Sequence, residues 1–203
     1  MDRLSQTGTV RYFSYGAPTG KLYILGDDFV LKSLIFSGSL SRSYNVQKHF
    51  HKGKNRAIHA AKNFLDAYFG GIAAPHKPGA GKQTIRVVIE KSTLRFEYGS
   101  TVLHMDMAEF TKKEITVYRE LLRVPFGRTI SYGALAARAG IPGGARFIGN
   151  TMAKNNFPII IPCHRVINAD GAMGNYSGGR HIKKLLLEHE KTVSLPLDRA
   201  GRF

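Results

Sequence analysis

Apolar and polar positions along the chain fall into two textures. In the first hundred residues the apolar runs are short and rich in β-branched and aromatic side chains. Runs at 21–25 and 29–36 flank Gly26-Asp27-Asp28, which predicts a β-hairpin. Residues 37–55 are polar and Ser- and Lys-rich and read as a loop. Over 56–69 the period changes: Ile58, Ala61, Phe64, Leu65 and Tyr68 recur at helical spacing, and Gly70-Gly71 stops the helix. Residues 72–82, with prolines among glycines and alanines, read as a linker. Three strands are then predicted at 84–89, 94–98 and 101–105, separated by Lys91-Ser92-Thr93 and Gly99-Ser100.

From residue 109 the pattern becomes helical. Thr111 and Glu114 have the spacing of a capping box, ahead of an apolar stripe of Ile115, Tyr118, Leu121 and Leu122 that Pro125 ends. Ser131 caps a short helix through Ala139 with Leu135 and Ala136 inward. Gly140-Ile141-Pro142-Gly143 turns the chain into a second helix over 144–154, with Phe147, Ile148 and Met152 buried. Two short helices joined by a glycine-bearing turn make the helix-turn-helix arrangement that reads DNA, although many helical pairs look alike. The second helix carries Arg146 in its first turn and Lys154 at its end with no acid between them. A last helix is expected over 181–190, with Ile182, Leu185 and Leu186 inward. The chain thus divides into a sheet-plus-helix domain at 1–108 and a mostly helical one at 109–203.

Composition narrows the class. The chain has 203 residues, 43% hydrophobic and 22% charged, a globular balance with room for a real core. No stretch approaches the ~18 consecutive apolar residues of a membrane span. The polar start lacks an apolar signal region, so an intracellular location is expected, the cytoplasm and nucleoid if the source is prokaryotic. One cysteine excludes an internal disulfide and a cysteine-based zinc cage. The formal charge is +16, and residues 29–65 contain no acid but carry Lys32, Arg42, Lys48, Lys52, Lys54, Arg56 and Lys62. That excess favours a polyanionic partner, nucleic acid ahead of a membrane surface, since no basic amphipathic helix with an aromatic face is present.

Chemistry concentrates around the cysteine. Ile159-Ile160-Ile161 is an apolar β-branched run and predicts a buried strand, which Pro162-Cys163-His164-Arg165-Val166 follows directly. A lone cysteine is ordinarily an inert core residue. Here His164 and Arg165 adjoin the sulfur, and such neighbours lower a thiol's pKa and favour the nucleophilic thiolate. Glycines at 171, 174, 178 and 179 punctuate the loop beyond it, around Asn175, Tyr176 and Ser177. Glu188 or Glu190 at the end of the last helix offers a distant carboxylate to orient His164, although a charged helix end is normally just solvated.

The segment Pro162-Cys163-His164-Arg165-Val166 resembles the signature of the methylated-DNA–protein-cysteine methyltransferases, suicidal repair proteins for alkylated guanine. The likeness runs through most of 110–190 and includes Val124-Pro125-Phe126-Gly127, Ser131-Tyr132-Gly133, Arg146-Phe147-Ile148-Gly149, Asn155, and Gly174-Asn175-Tyr176-Ser177-Gly178-Gly179. It departs from the family at Tyr118, where tryptophan is common, at Asn156, where proline is usual, and at Gly144, where alanine is common. The resemblance implies an α/β (α+β) fold: a ribonuclease-H-like N-terminal sheet with helix, and a helix-turn-helix domain holding the cysteine. It implies irreversible, single-turnover transfer of the alkyl group from the 6-oxygen of guanine to Cys163 after base flipping, and leaves the 4-oxygen of thymine open as a second source. His164 corresponds to the base acting through a water, Glu190 to its orienting partner and Asn155 to the residue that shapes the active-site turn. Tyr132 corresponds to a donor to the flipped base, Ser177 to contacts at the 6-oxygen with Gly174 and Tyr176 beside it, and the Cys163 and Val166 carbonyls to acceptors for the exocyclic amine. DNA contacts fall on Arg146, the finger that fills the vacated stack, with Tyr132, Ser131, Ala145, Gly149, Asn150 and Arg165. No cofactor or metal is implied; the expected partner is double-stranded DNA carrying alkylated guanine, met by a monomer. Two other readings stay open: a helix-turn-helix DNA-binding protein with an incidental cysteine, and a thiol hydrolase using Cys163 and His164.

Overall fold

The computed structural model describes residues 8–39, 46–70, 86–90, 92–98 and 100–194. Its first half is a seven-stranded sheet crossed by one long helix. Strands β1 (Arg11–Ala17), β2 (Gly20–Gly26) and β3 (Leu31–Phe36) form an antiparallel meander, and β5 (Arg86–Glu90), β6 (Thr93–Tyr98) and β7 (Thr101–Asp106) form another. The two join where Leu31 of β3 pairs parallel with Met105 of β7, and the two-residue β4 (His51–Lys52) adds to the outer edge of β1.

The predicted hairpin at Gly26-Asp27-Asp28 is present. The Asp27 carboxylate accepts the Phe29 and Val30 amides at 2.9 and 2.8 Å, an aspartate closing its own turn. Helix α2 (Arg56–Phe69) has the predicted bounds and buries the whole predicted stripe. Asn55 starts it, accepting the Ile58 amide through its side chain while donating to the Gly26 carbonyl at 2.7 Å, so one residue fixes both the helix and the hairpin.

Three expectations need correction, and one strand was not anticipated. Strand β1 had no alternating pattern to reveal it: Tyr12 and Tyr15 are its buried residues, three apart. The region read as a loop contains α1 (Val46–His49) and β4, elements too short to have a period. The last helix runs longer, Arg180–Ser194. The apolar run at 159–161 is buried but is a turn, not a strand: Pro158 and Ile161 bridge each other and Ile159 adopts φ 73°. Three isoleucines give too short a run to distinguish a strand from any other buried conformation. The expected linker at 72–82 and the position of Gly71 lie outside the described residues.

The second half is helical. Helix α3 (Lys112–Leu122) opens on the predicted capping box of Thr111 and Glu114. Helices α4 (Tyr132–Arg138), capped by Ser131, and α5 (Ala145–Ala153) form the predicted pair, and α6 (Arg180–Ser194) closes the fold. Strands β8 (Ile130–Ser131) and β9 (Val166–Ile167) pair in parallel and bring the start of α4 to the cysteine segment. One hydrophobic core runs from β2, β3 and α2 through α3 to the isoleucine turn and Cys163.

Candidate active site

Cys163 opens a 3-10 turn (Cys163–Arg165) with 4% of its surface exposed. Asn155 builds the turn that presents it. The side-chain amide donates to the Ile161 carbonyl at 2.8 Å and to Cys163 Sγ at 3.0 Å, and its oxygen accepts the Phe157 amide at 2.9 Å. A β-branched residue at positive φ is disfavoured, so the Ile159 backbone persists because these bonds and the core over-determine it. The N-terminal sheet supports the same loop: Leu34 of β3 donates its amide to the Asn156 carbonyl at 2.8 Å.

Behind the sulfur lies a sealed polar network. His164, Arg165, Lys183 and Glu190 are wholly buried. Glu190 Oε1 accepts from His164 Nε2 at 2.7 Å and from Arg165 Nη2 at 2.8 Å, and Oε2 accepts from Arg165 Nε and the Gly127 amide, both at 2.9 Å. Burial alone would raise this carboxyl, but His164 and Arg165 hold it far below the usual carboxylate range. An ionised carboxylate only accepts, so the proton of His164 sits on Nε2. Burial, with Arg165 and Lys183, outweighs Glu190 and lowers the His164 pKa, leaving a neutral ring whose buried Nδ1 has no partner among the described residues.

At rest the thiol pKa is not lowered by its sequence neighbours, contrary to the expectation. His164 and Arg165 are both turned onto Glu190, and Arg165 also donates to the Val124 carbonyl at 2.7 Å. Burial therefore pushes the Cys163 pKa up, while Asn155, Lys183 and Tyr176 pull against it. The resting sulfur is a thiol that needs a base.

In front of the sulfur opens a cavity of about 810 Å³ lined by Cys163, Tyr132, Gly149, Asn150, Gly174, Tyr176 and Ser177, all expected at the site, by Asn175 and Met152, which the sequence placed in the loop and in the core, and by Ala153, Asn168 and Arg180, which it did not single out. Gly174 sits at φ 57°, where a Cβ would come within 3.0 Å of the Tyr132 hydroxyl, so glycine lets the loop close on the tyrosine. Across the loop, Ser39 donates to the Ser177 carbonyl at 2.8 Å, and a Cβ on Gly178 would strike Phe36 of β3 at 2.8 Å. A second, shallower hollow of about 450 Å³ lies between the starts of α4 and α5, lined by Ser131, Tyr132, Ala145 and Gly149 among others. Arg146 is exposed beside it, with no ion pair among the described residues. Asn155, His164 and Glu190 sit behind the cysteine, and the buried Val166 carbonyl accepts Lys183 Nζ at 2.6 Å.

The chain matches a family model described as the 6-O-methylguanine DNA methyltransferase DNA-binding domain over residues 112–192. A methylated-DNA–protein-cysteine methyltransferase of Mycobacterium leprae is 32% identical over 178 residues, covering 88% of this chain and 90% of that one. The chain belongs to the methylated-DNA–protein-cysteine methyltransferases. The rat member of the family is 51% identical over 82 residues, 40% of this chain and 38% of the rat protein. Among solved structures, the O6-methylguanine methyltransferase of Mycobacterium tuberculosis superposes with a TM-score of 0.67 at 31% identity, covering 95% of this chain and 98% of that one. A crystal structure of Mycobacterium tuberculosis OGT in complex with DNA gives 0.66 at 31% identity, covering 91% and 94%.

Within this methyltransferase, one expected DNA contact is excluded: Arg165 is wholly buried on Glu190, with its guanidinium 5.6 Å from the Phe126 ring, and has no surface to offer. Two residues escaped the sequence. Tyr68 was read as part of an apolar stripe, yet its hydroxyl donates to Glu190 Oε1 at 2.9 Å. Lys183, next to the partly buried Ile182, was not singled out; it is wholly buried, and burial lowers its pKa to about 8. Its signal was available: helical spacing places Lys183 and Leu186 on one face and Glu190 one turn further.

Proposed function

We propose that Cys163 accepts an alkyl group from the 6-oxygen of guanine in double-stranded DNA, once per protein chain. The family's activity is direct-reversal repair of methylated DNA by transfer to a protein cysteine, and each part of that activity has a residue to perform it here. The observation that carries the assignment is the sole cysteine at the floor of a cavity of about 810 Å³, backed by a buried His164–Glu190 pair at 2.7 Å. His164 Nδ1 draws the thiol proton through a water while Glu190 holds the ring and stabilises the imidazolium that forms. Sulfur attacks the alkyl carbon in line; the S–C bond forms as the C–O bond breaks, the departing guanine takes a proton from the Tyr132 hydroxyl, and the proton held by the imidazolium returns through solvent to the tyrosine. Leaving is assisted by hydrogen bonds to the departing base, for which Tyr132 and Ser177 line the cavity. The product is a thioether with no route back to thiol.

The base must leave the helix to reach this cavity, which costs a few kcal/mol and less for a damaged pair. Arg146, exposed on the second residue of α5, fills the gap, while Ser131, Ala145, Gly149 and Asn150 meet the backbone. The protein acts as a monomer. Incubation with duplex DNA carrying labelled methyl groups, followed by peptide mapping, should place one label per chain on Cys163. Repeated turnover would favour a hydrolase, and DNA binding without label a simple binding protein.

A further inference from the structure

We propose that Tyr68 is a positioning residue of the transfer reaction: its hydroxyl, brought from the N-terminal half by the last turn of α2, fixes the Glu190 carboxylate and so sets how strongly His164 draws the thiol proton. This rests on the assignment of Cys163 as acceptor and His164 as its base. The Tyr68 hydroxyl donates at 2.9 Å to Oε1, the same oxygen that accepts His164 Nε2 at 2.7 Å, and lies 3.5 Å from that ring nitrogen. The tyrosine is wholly buried and cannot swing away. Phe69, His189 and Phe126 surround its ring at centroid distances of 5.0, 5.3 and 5.6 Å, and its own carbonyl accepts from His189 Nε2 at 2.9 Å.

The consequence is electrostatic. A carboxylate oxygen shared between donors offers less negative charge to each. Tyr68 competes with His164 for Oε1 and therefore tempers the basicity that Glu190 confers. The charged and titratable groups facing His164 are Glu190 and Lys183 from α6, Arg165 from its own turn, which Cys163 opens, and Tyr68 from α2, with Tyr176 and His189 next to Tyr68. Of these, Tyr68 is the one that the N-terminal half supplies among the described residues. A purely structural tyrosine would cost stability when its hydroxyl is removed but leave the titration of His164 where it was.

The test is the rate of methyl transfer to Cys163 from the free methylated base, measured from pH 5 to 9 in the full-length protein. Tyr68→Phe should move the acid limb to higher pH, with the rate near pH 6 falling about threefold to tenfold and the plateau changing less than about twofold. Incorporation of 3-fluorotyrosine at position 68, a stronger donor, should move the limb the other way. Leu65→Val, a core change in the same helix, should lower stability and leave the limb in place. Tyr68→Phe and fluorotyrosine profiles that superpose on the wild type after scaling by one factor would overturn the proposal, as would an equal shift in Leu65→Val. Failure of the wild type to label Cys163 would overturn the underlying assignment, and the proposal with it.

Discussion

The two sides of Cys163 are built on opposite plans. Behind it, His164, Arg165, Lys183, Glu190 and Tyr68 are sealed from solvent, and Glu190 alone accepts from four residues. In front of it, the cavity and the exposed faces of α4 and α5 carry few bonds, and Arg146 is unpaired among the described residues. That contrast sets where each kind of failure should appear. In a low-dielectric network the loss of one partner strands a charge and costs stability. On an open face the loss of one side chain costs only the step in which that side chain meets the ligand.

The largest expected effect is at the boundary itself. Cys163→Ser should abolish alkyl transfer while leaving DNA affinity nearly intact, read by label incorporation and by a binding titration; residual stoichiometric transfer would end the assignment. Next comes the sealed side. Arg165→Met leaves Glu190 short of its main counter-charge and should destabilise the fold by about 3–5 kcal/mol in urea titration, with no effect attributable to direct binding of DNA. Weaker DNA affinity at full stability would place Arg165 on the surface after all.

The sealed side should also respond to acid. The His164 pKa is lowered in the fold and that of Glu190 is lowered too. Both groups therefore bind more protons when unfolded, and stability rises with pH wherever they titrate. The urea midpoint should hold at neutral pH, fall as His164 is drawn toward protonation below its ordinary 6.5, and fall further below the ordinary 4.5 of Glu190. A midpoint that is flat down to pH 4 would contradict the charge states assigned to both.

Smaller effects belong to the open side. Arg146→Ala should slow repair in duplex DNA by about tenfold, on the order of 1.4 kcal/mol of the cost of extrusion, and leave the reaction with free methylated base unchanged. Equal losses on both substrates would move Arg146 into the chemistry. Smallest of all, replacing the exposed Lys48, Lys52, Lys54 and Arg56 by Gln should leave the salt dependence of DNA affinity in place. Were any of them to neutralise a phosphate, the slope would shrink by about 0.9 for each one.

What was legible in the sequence was local. Thr111 and Ser131 cap their helices through partners three residues away, so spacing alone carries the information, whereas the turn that Asn155 shapes two residues on was supplied by the resemblance. The buried network is not local. Tyr68 and Glu190 are 122 residues apart, and a tyrosine in an apolar stripe gives no sign of which partner its hydroxyl meets. Lys183 is the intermediate case: helical spacing puts it on the face of Leu186 and Glu190, yet a lysine reads as solvated until its neighbours are known to cover it. The resemblance supplied Glu190 and its role, where helix-end chemistry alone left it one carboxylate among two.

The unbroken core has a mechanical meaning. Side chains of β2, β3, α2 and α3 pack in one continuous cluster with the isoleucine turn, and Tyr68 bolts α2 to α6 through Glu190. Although the sequence changes texture near residue 109, the two halves should melt as one cooperative unit. Backbone amides in the middle of α2 and of α6 would then exchange with solvent at a common free energy, and heat or denaturant would silence the chemistry at the same midpoint that dissolves the sheet.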